Sequence, residues 1–125
     1  VARASILLVD DEPALVRLLE TFLKQRDFEV DACLGSAEAL RKFSAAPQRY
    51  GLLIADVNMP GTPGDALALR IAGISDTVRI LLTSGLPFST DRFPAGVRAR
   101  AAFLQKPFLP RMIMEAVDRL LGPPE

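Results

Sequence analysis

The sequence has no histidine, no tryptophan, a single cysteine, a single tyrosine and no excess charge of either sign. Without histidine, Ser-His-Asp and Cys-His nucleophiles and histidine-held metals are excluded together. Chemistry must fall to carboxylates, hydroxyls and lysine. Cys33 has no second cysteine to pair with, and no apolar run approaches the roughly 18 residues of a spanning helix or has the layout of a signal peptide. No membrane insertion and a reducing, cytoplasmic location are expected. Lys and Arg number 15 and Asp and Glu number 15, which gives no general attraction to nucleic acid, so direct nucleic-acid binding is not expected. The balance hides an asymmetry, since residues 1–65 carry 7 basic and 10 acidic side chains and residues 66–125 carry 8 and 5. Scattered solvated surface charge is the simplest account.

What is present suffices for one core. A chain of 125 residues, 50% apolar and 24% charged, buries roughly two-thirds of its unfolded surface without disulfide or metal. It fits a single domain over 1–125, with a folded core over about 4–121 and a linker stub at 122–125. Val1 at the start and Gly122-Pro123-Pro124-Glu125 at the end read as cuts from a longer protein.

Ile6-Leu7-Leu8-Val9 is too short for a helix and suits a strand buried on both faces. Asp10-Asp11-Glu12-Pro13 then offers an N-cap and a first-turn proline, and Leu15, Leu18, Leu19, Phe22 and Leu23 recur at helical spacing. Phe28, Val30 and Ala32 alternate with Glu29 and Asp31, as an edge strand does, and Ser36 is placed to cap a helix holding Ala39, Leu40 and Phe43. Leu52 to Ala55 is a second buried run ending at Asp56. It is followed by the rigid loop Met59-Pro60-Gly61-Thr62-Pro63-Gly64 and a helix of Leu67, Leu69, Arg70 and Ile71. Val78 to Leu82 ends at Thr83-Ser84-Gly85, and Ala102 to Leu104 ends near Lys106-Pro107. Met112, Ile113, Ala116, Val117, Leu120 and Leu121 form a final amphipathic helix. Between these, Pro87, Pro94 and Gly96 limit residues 86–100 to two helical turns at most.

Strands alternating with helices predict an α/β fold: a doubly wound, five-stranded parallel sheet of order 2-1-3-4-5 with helices on both faces. In such sheets the ligand crevice lies at the carboxyl ends of strands 1 and 3. Asp10, Asp11, Asp56, Thr83 and Lys106 all leave strands at that edge. Gathered carboxylates repel one another and favour a hard divalent cation, with magnesium the best match to few carboxylates plus water and phosphate oxygens. A lysine and a hydroxyl opposite suit a phosphoryl group, which one carboxylate can attack in line to give an aspartyl phosphate.

Leu8-Val9-Asp10-Asp11-Glu12, Asp56-x-x-Met59-Pro60-Gly61, Leu82-Thr83-Ser84 and Lys106-Pro107-Phe108, in that order at those strand ends, resemble the signature of bacterial response-regulator receiver domains over almost the whole chain. The resemblance implies a flavodoxin-like (CheY-like) three-layer sandwich. It implies that Asp56 takes a phosphoryl group from a phosphohistidine on a sensor histidine kinase or histidine phosphotransfer domain. Asp11, Asp56 and the backbone carbonyl of Asn58 would coordinate Mg2+, with Asp10 binding largely through water. Lys106 would pair with phosphoryl oxygens, Thr83 would move toward them, Ser84 would belong to the same phosphoryl-binding and switch group, and Phe103 would be the switching aromatic. Pro60 and Gly61 would shape the loop, and Pro107 would follow a cis peptide. Water's access to the phosphoryl group would depend on Asn58 and Gly85. Receivers ordinarily carry a regular fourth helix where this chain has residues 86–100, so the usual dimer face is weakened and a monomer or weak dimer is expected. Kinase selectivity is placed around Leu15, Leu18 and Leu19 and on the loop after strand 5. Thr83-Ser84-Gly85 resembles receivers attached to hybrid kinases, and an output or kinase domain is a possible attachment.

Other readings are weighed against these. Asp10 and Asp11 could serve only as a helix cap, Thr83 as an ordinary strand-end hydroxyl, Lys106 as a solvated charge and Phe103 as core. Cys33 reads as structural. A phosphatase of the haloacid-dehalogenase type shares an aspartyl phosphate, magnesium, a hydroxyl and a lysine. It needs its nucleophile on strand 1 and a second aspartate where Glu12 stands. An unphosphorylated docking module would not need every acidic, hydroxyl and lysine position filled.

Overall fold

The computed structural model describes residues 4–122, so Pro123, Pro124 and Glu125 of the expected linker stub lie outside the described residues. Five strands, β1 (Ser5–Val9), β2 (Glu29–Cys33), β3 (Tyr50–Asp56), β4 (Arg79–Ser84) and β5 (Ala101–Gln105), alternate with five helices. The helices are α1 (Pro13–Lys24), α2 (Ser36–Ala45), α3 (Gly64–Ile74), α4 (Ala95–Arg98) and α5 (Pro110–Leu121). The strands form one parallel sheet in the order β2-β1-β3-β4-β5, as expected of right-handed crossovers in both directions from β1.

The period of two along each strand divides the core. Leu7, Val9, Leu53, Ala55, Ile80 and Leu82 face α2 and α3 and pack with Ala39, Phe43, Leu67 and Ile71. Ile6, Leu8, Leu52, Ile54 and Leu81 face α1 and α5 and pack with Val16, Leu19, Leu23, Ile113, Ala116 and Val117. The central strands are therefore uninterrupted apolar runs over residues 6–9, 52–55 and 80–82, whereas edge strand β2 leaves Glu29 exposed and Asp31 half-buried. Burial also pushes the Cys33 thiol up to about 11, which leaves little thiolate at neutral pH and fits a structural cysteine.

Several local expectations shift. Ser36 is the first helical residue, not the cap, which is Gly35; its hydroxyl donates to the carbonyl of Thr62 at 2.7 Å. A tertiary acceptor has won over the helix's own amides. Leu18 is 55% exposed while Leu19 is buried, because the inward stripe of α1 runs through Val16, Leu19 and Leu23. Leu19 is therefore core and unavailable to a partner. Leu69 likewise lies on the outer side of α3.

Residues 86–100 hold a single 3-10 turn at Thr90–Arg92 and the four-residue α4. Pro94 immediately precedes α4, where its missing N–H costs nothing, but the helix cannot begin earlier. Phe93 is buried against the α2–α3 side of the sheet, so the segment is pinned by a side chain more than by backbone bonds. Amides of residues 88–96 are expected to exchange with deuterium orders of magnitude faster than those of Ile80 to Leu82. Protection across both segments on one timescale would contradict the short-helix description.

Candidate functional site

The site is made where apolar strands stop. Asp10 and Asp11 follow β1, Asp56 ends β3, Thr83 and Ser84 end β4, and Lys106 follows β5. Parallel strands in register bring those ends to one edge: Asp56 is paired with Thr83, and Ser84 with Gln105. Asp10, Asp56, Thr83 and Ser84 are buried, whereas Asp11 is exposed. Carboxylate oxygens of Asp10, Asp11 and Asp56 lie within 4.8 Å of one another.

One ammonium holds two of these carboxylates. Lys106 Nζ donates to Asp10 Oδ2 at 2.9 Å and to Asp56 Oδ2 at 3.4 Å. Burial alone would lower the lysine, but hydrogen bonding to Asp10 and the charges of Asp10 and Asp56 outweigh it and hold the ammonium above its ordinary value. Burial pushes the Asp56 carboxyl up and the charge of Asp10 adds to the rise, opposed by the Asn58 amide and Lys106. Asp56 Oδ1 accepts from the Asn58 backbone N–H at 3.2 Å, and Asp10 Oδ1 accepts from that of Glu12 at 3.0 Å. Asp10 thus fixes the approach to α1, while Glu12, the cap residue itself, makes no side-chain cap bond.

Three all-oxygen ligands in this cluster, with only one ammonium to offset them, fit a hard divalent cation such as magnesium. The Thr83 hydroxyl makes no hydrogen bond among the described residues and stands beside Asp56 in register. The Lys106-Pro107 peptide is cis. Phe103, paired with Leu82, packs on Phe88 with ring centroids 5.9 Å apart, and Phe88 packs on Phe93 at 6.0 Å. Chemically, the arrangement offers a buried nucleophilic carboxylate with an adjacent cation site, a lysine and a hydroxyl.

Two supports were not legible in the sequence. A Cβ on Gly64 would stand 2.1 Å from the Asp56 carbonyl oxygen, so α3 starts against the backbone that carries Asp56. The turn-rich Met59–Gly64 run signals a loop but not that approach. Asn58 Nδ2 donates to Ser84 Oγ at 2.6 Å, and Ser84 Oγ also accepts from Leu86 N–H at 3.0 Å. No spacing rule reports a side-chain bond between residues 26 apart.

Residues 6–118 match the family described as the response regulator receiver domain. The chain is 32% identical over 116 residues to the regulatory protein VanRB of Enterococcus faecalis, an alignment covering 93% of this chain and 51% of that protein. It therefore spans about half of VanRB's length. Among solved structures, it superposes on response regulator TrrA of Thermotoga maritima, solved in complex with Mg(2+)-BeF. The TM-score is 0.79 at 32% identity, covering 95% of this chain and all of that one (100%). The receiver domain of hybrid histidine kinase CckA matches with TM-score 0.80 and 30% identity, covering 94% of this chain and 99% of that one.

Two consequences of the geometry are measurable by thermal denaturation. Gly64→Ala should lower stability by about 1–3 kcal/mol, because a backbone contact and not a flexible side chain must yield. Gly73→Ala, where a Cβ meets nothing within 4 Å, should be neutral or stabilising by up to about 1 kcal/mol. Equal effects at the two glycines would contradict the close approach. The raised Asp56 carboxyl means that its charged form opposes folding, so in EDTA at neutral pH Asp56→Asn should melt above the native protein. That advantage should shrink as pH falls through the folded Asp56 pKa, where the native carboxyl takes up its own proton. A lower melting temperature for Asp56→Asn at pH 7 would contradict a carboxyl raised by burial.

Proposed function

The chain belongs to the response regulator receiver family, and on that premise we propose that Asp56 is the phosphoacceptor of a two-component or phosphorelay system. The observation that carries this is the buried Asp56 carboxylate with Lys106 Nζ at 3.4 Å and Thr83 paired beside it. An Asp56 oxygen attacks phosphorus of a phosphohistidine on a sensor histidine kinase or histidine phosphotransfer domain. The phosphorus–nitrogen bond breaks and the electron pair returns to the imidazole. Asp10, Asp11, Asp56 and the backbone carbonyl of Asn58 are the residues that would hold Mg2+, directly or through water. The ion's contribution is to neutralise phosphoryl oxygens. Lys106 binds a phosphoryl oxygen with the ammonium it now shares between Asp10 and Asp56, and Thr83 hydrogen-bonds another. Thr83 drawn inward gives Phe103 room to turn, and the Phe103–Phe88–Phe93 contacts carry that change into residues 86–100.

Residues 4–121 act in this reading as one cytoplasmic receiver unit, a monomer or weak dimer that switches a partner or an attached output or kinase domain and hydrolyses its own acyl phosphate. Exposed Leu18 on α1 and Leu109 after β5, with half-buried Leu15, are apolar positions offered to a kinase or phosphotransfer partner.

Incubation with acetyl phosphate and Mg2+ should add one phosphoryl group by intact mass, and Asp56→Asn should abolish it without loss of fold. Asp11→Asn should weaken magnesium binding by about tenfold or more and slow labelling. Gly85→Arg should lengthen the adduct's lifetime by shielding it from water. Full labelling of Asp56→Asn would end the assignment, and no labelling of the native protein would favour the docking module.

A further inference from the structure

Ser84 joins three of the site's four strand ends, those of β3, β4 and β5. Its carbonyl accepts the Lys106 backbone N–H at 2.8 Å. Its hydroxyl oxygen accepts from Leu86 N–H at 3.0 Å and from the Asn58 carboxamide at 2.6 Å. Those two donors fill the lone pairs of a hydroxyl, and the residue is 1% exposed, so Ser84 is a fixed anchor. Asn58 is exposed, and among the described residues Ser84 is the one hydrogen-bond partner of its carboxamide. Its backbone N–H is already bound to Asp56 Oδ1 at 3.2 Å. Asn58 is therefore held at its backbone by Asp56 and at its carboxamide by Ser84, two residues beyond the reacting carboxylate. On the neighbouring strand end Gly85 presents no side chain, and a Cβ there would meet nothing within 4 Å.

We propose that Ser84 is a positioning residue which, by anchoring the Asn58 carboxamide beside Asp56, sets the lifetime of the phosphoryl group; the inference rests on Asp56 being the phosphoacceptor. In hydrolysis a water oxygen bonds to phosphorus and the bond from phosphorus to the Asp56 oxygen breaks. The carboxylate is restored, inorganic phosphate leaves and the water's proton passes to solvent. An anchored carboxamide meets the incoming water in one place, whereas a released one spreads over about three staggered wells. Losing the anchor should therefore slow hydrolysis about threefold. Ser84→Ala removes the hydroxyl without adding bulk, so it leaves water's path as open as before.

The test uses the full chain labelled with acetyl phosphate and Mg2+, with decay followed by intact mass for native, Ser84→Ala, Asn58→Ala and the double variant. Ser84→Ala is expected to decay about threefold more slowly, Asn58→Ala at least as slowly, and the double variant at the Asn58→Ala rate, since the first residue acts through the second. Independently of phosphorylation, the Asn58 side-chain NH2 resonances of metal-free protein should move toward free-amide positions in Ser84→Ala. Melting curves verify that each variant is folded. Native decay in Ser84→Ala, or slowing that persists undiminished in the Asn58→Ala background, overturns the proposal. Unmoved carboxamide resonances overturn it without reference to the acyl phosphate, while a native protein that takes no label removes the phosphoacceptor reading itself.

Discussion

Two buried carboxylates from adjacent strands share a single ammonium, and the site follows from that constraint. Asp10 and Asp56 repel one another in a setting that screens charge poorly. The Lys106 ammonium, with contacts of 2.9 and 3.4 Å, offsets part of the repulsion and leaves exposed Asp11 facing solvent with a negative charge to spare. A divalent cation held there would relieve the remainder, and a phosphoryl group on Asp56, as proposed above, would give the lysine a stronger partner. The site is stable enough to fold and uncomfortable enough to bind. Everything farther out serves to hold the strand ends in register. The sheet packs on both faces, Gly64 lets α3 approach the Asp56 backbone, and Ser36 pins the β3–α3 loop through Thr62.

Much of this was legible because strands buried on both faces are written as uninterrupted apolar runs, so a polar residue ending such a run stands out. Asp10, Asp56, Thr83 and Lys106 are visible that way, and the parallel topology then places them together without a contact being known. What could not be read depends on partners distant in sequence. Ser36 has the chemistry of an N-cap and became a tether because the Thr62 carbonyl lay within reach. Leu18 and Leu19 look alike along the chain, and only the direction of the α1 stripe separates solvent from core. Asn58 and Ser84 meet across strand ends, and the Gly64 approach is a property of backbone geometry, to which composition is blind. Proline, by contrast, acts locally, so the brevity of α4 followed directly from Pro87 and Pro94.

The shortened α4 changes what the surface beside the site is made of. Three phenylalanines, Phe88, Phe93 and Phe103, form a row of ring contacts in place of a helix face, and Arg92 lies over Phe88 with 5.2 Å to the ring centroid. A ring contact tolerates sliding and rotation better than a ladder of backbone hydrogen bonds does. This segment is therefore suited to respond to small displacements at Thr83 while Phe93 keeps it attached to the core.

The position of the single tyrosine has an optical consequence. Tyr50 opens β3, stacks on Phe43 and donates its phenol to Asp31 at 2.5 Å. It sits about 20 Å along the strand from Asp56 at the usual rise per residue. With no tryptophan in the chain, the only strong ultraviolet emitter lies at the opposite end of the sheet from the chemistry. Intrinsic fluorescence thus reports on whether the sheet is folded and stays silent about what occupies the carboxylate edge. An indole introduced in place of Phe88 would give that edge a signal of its own.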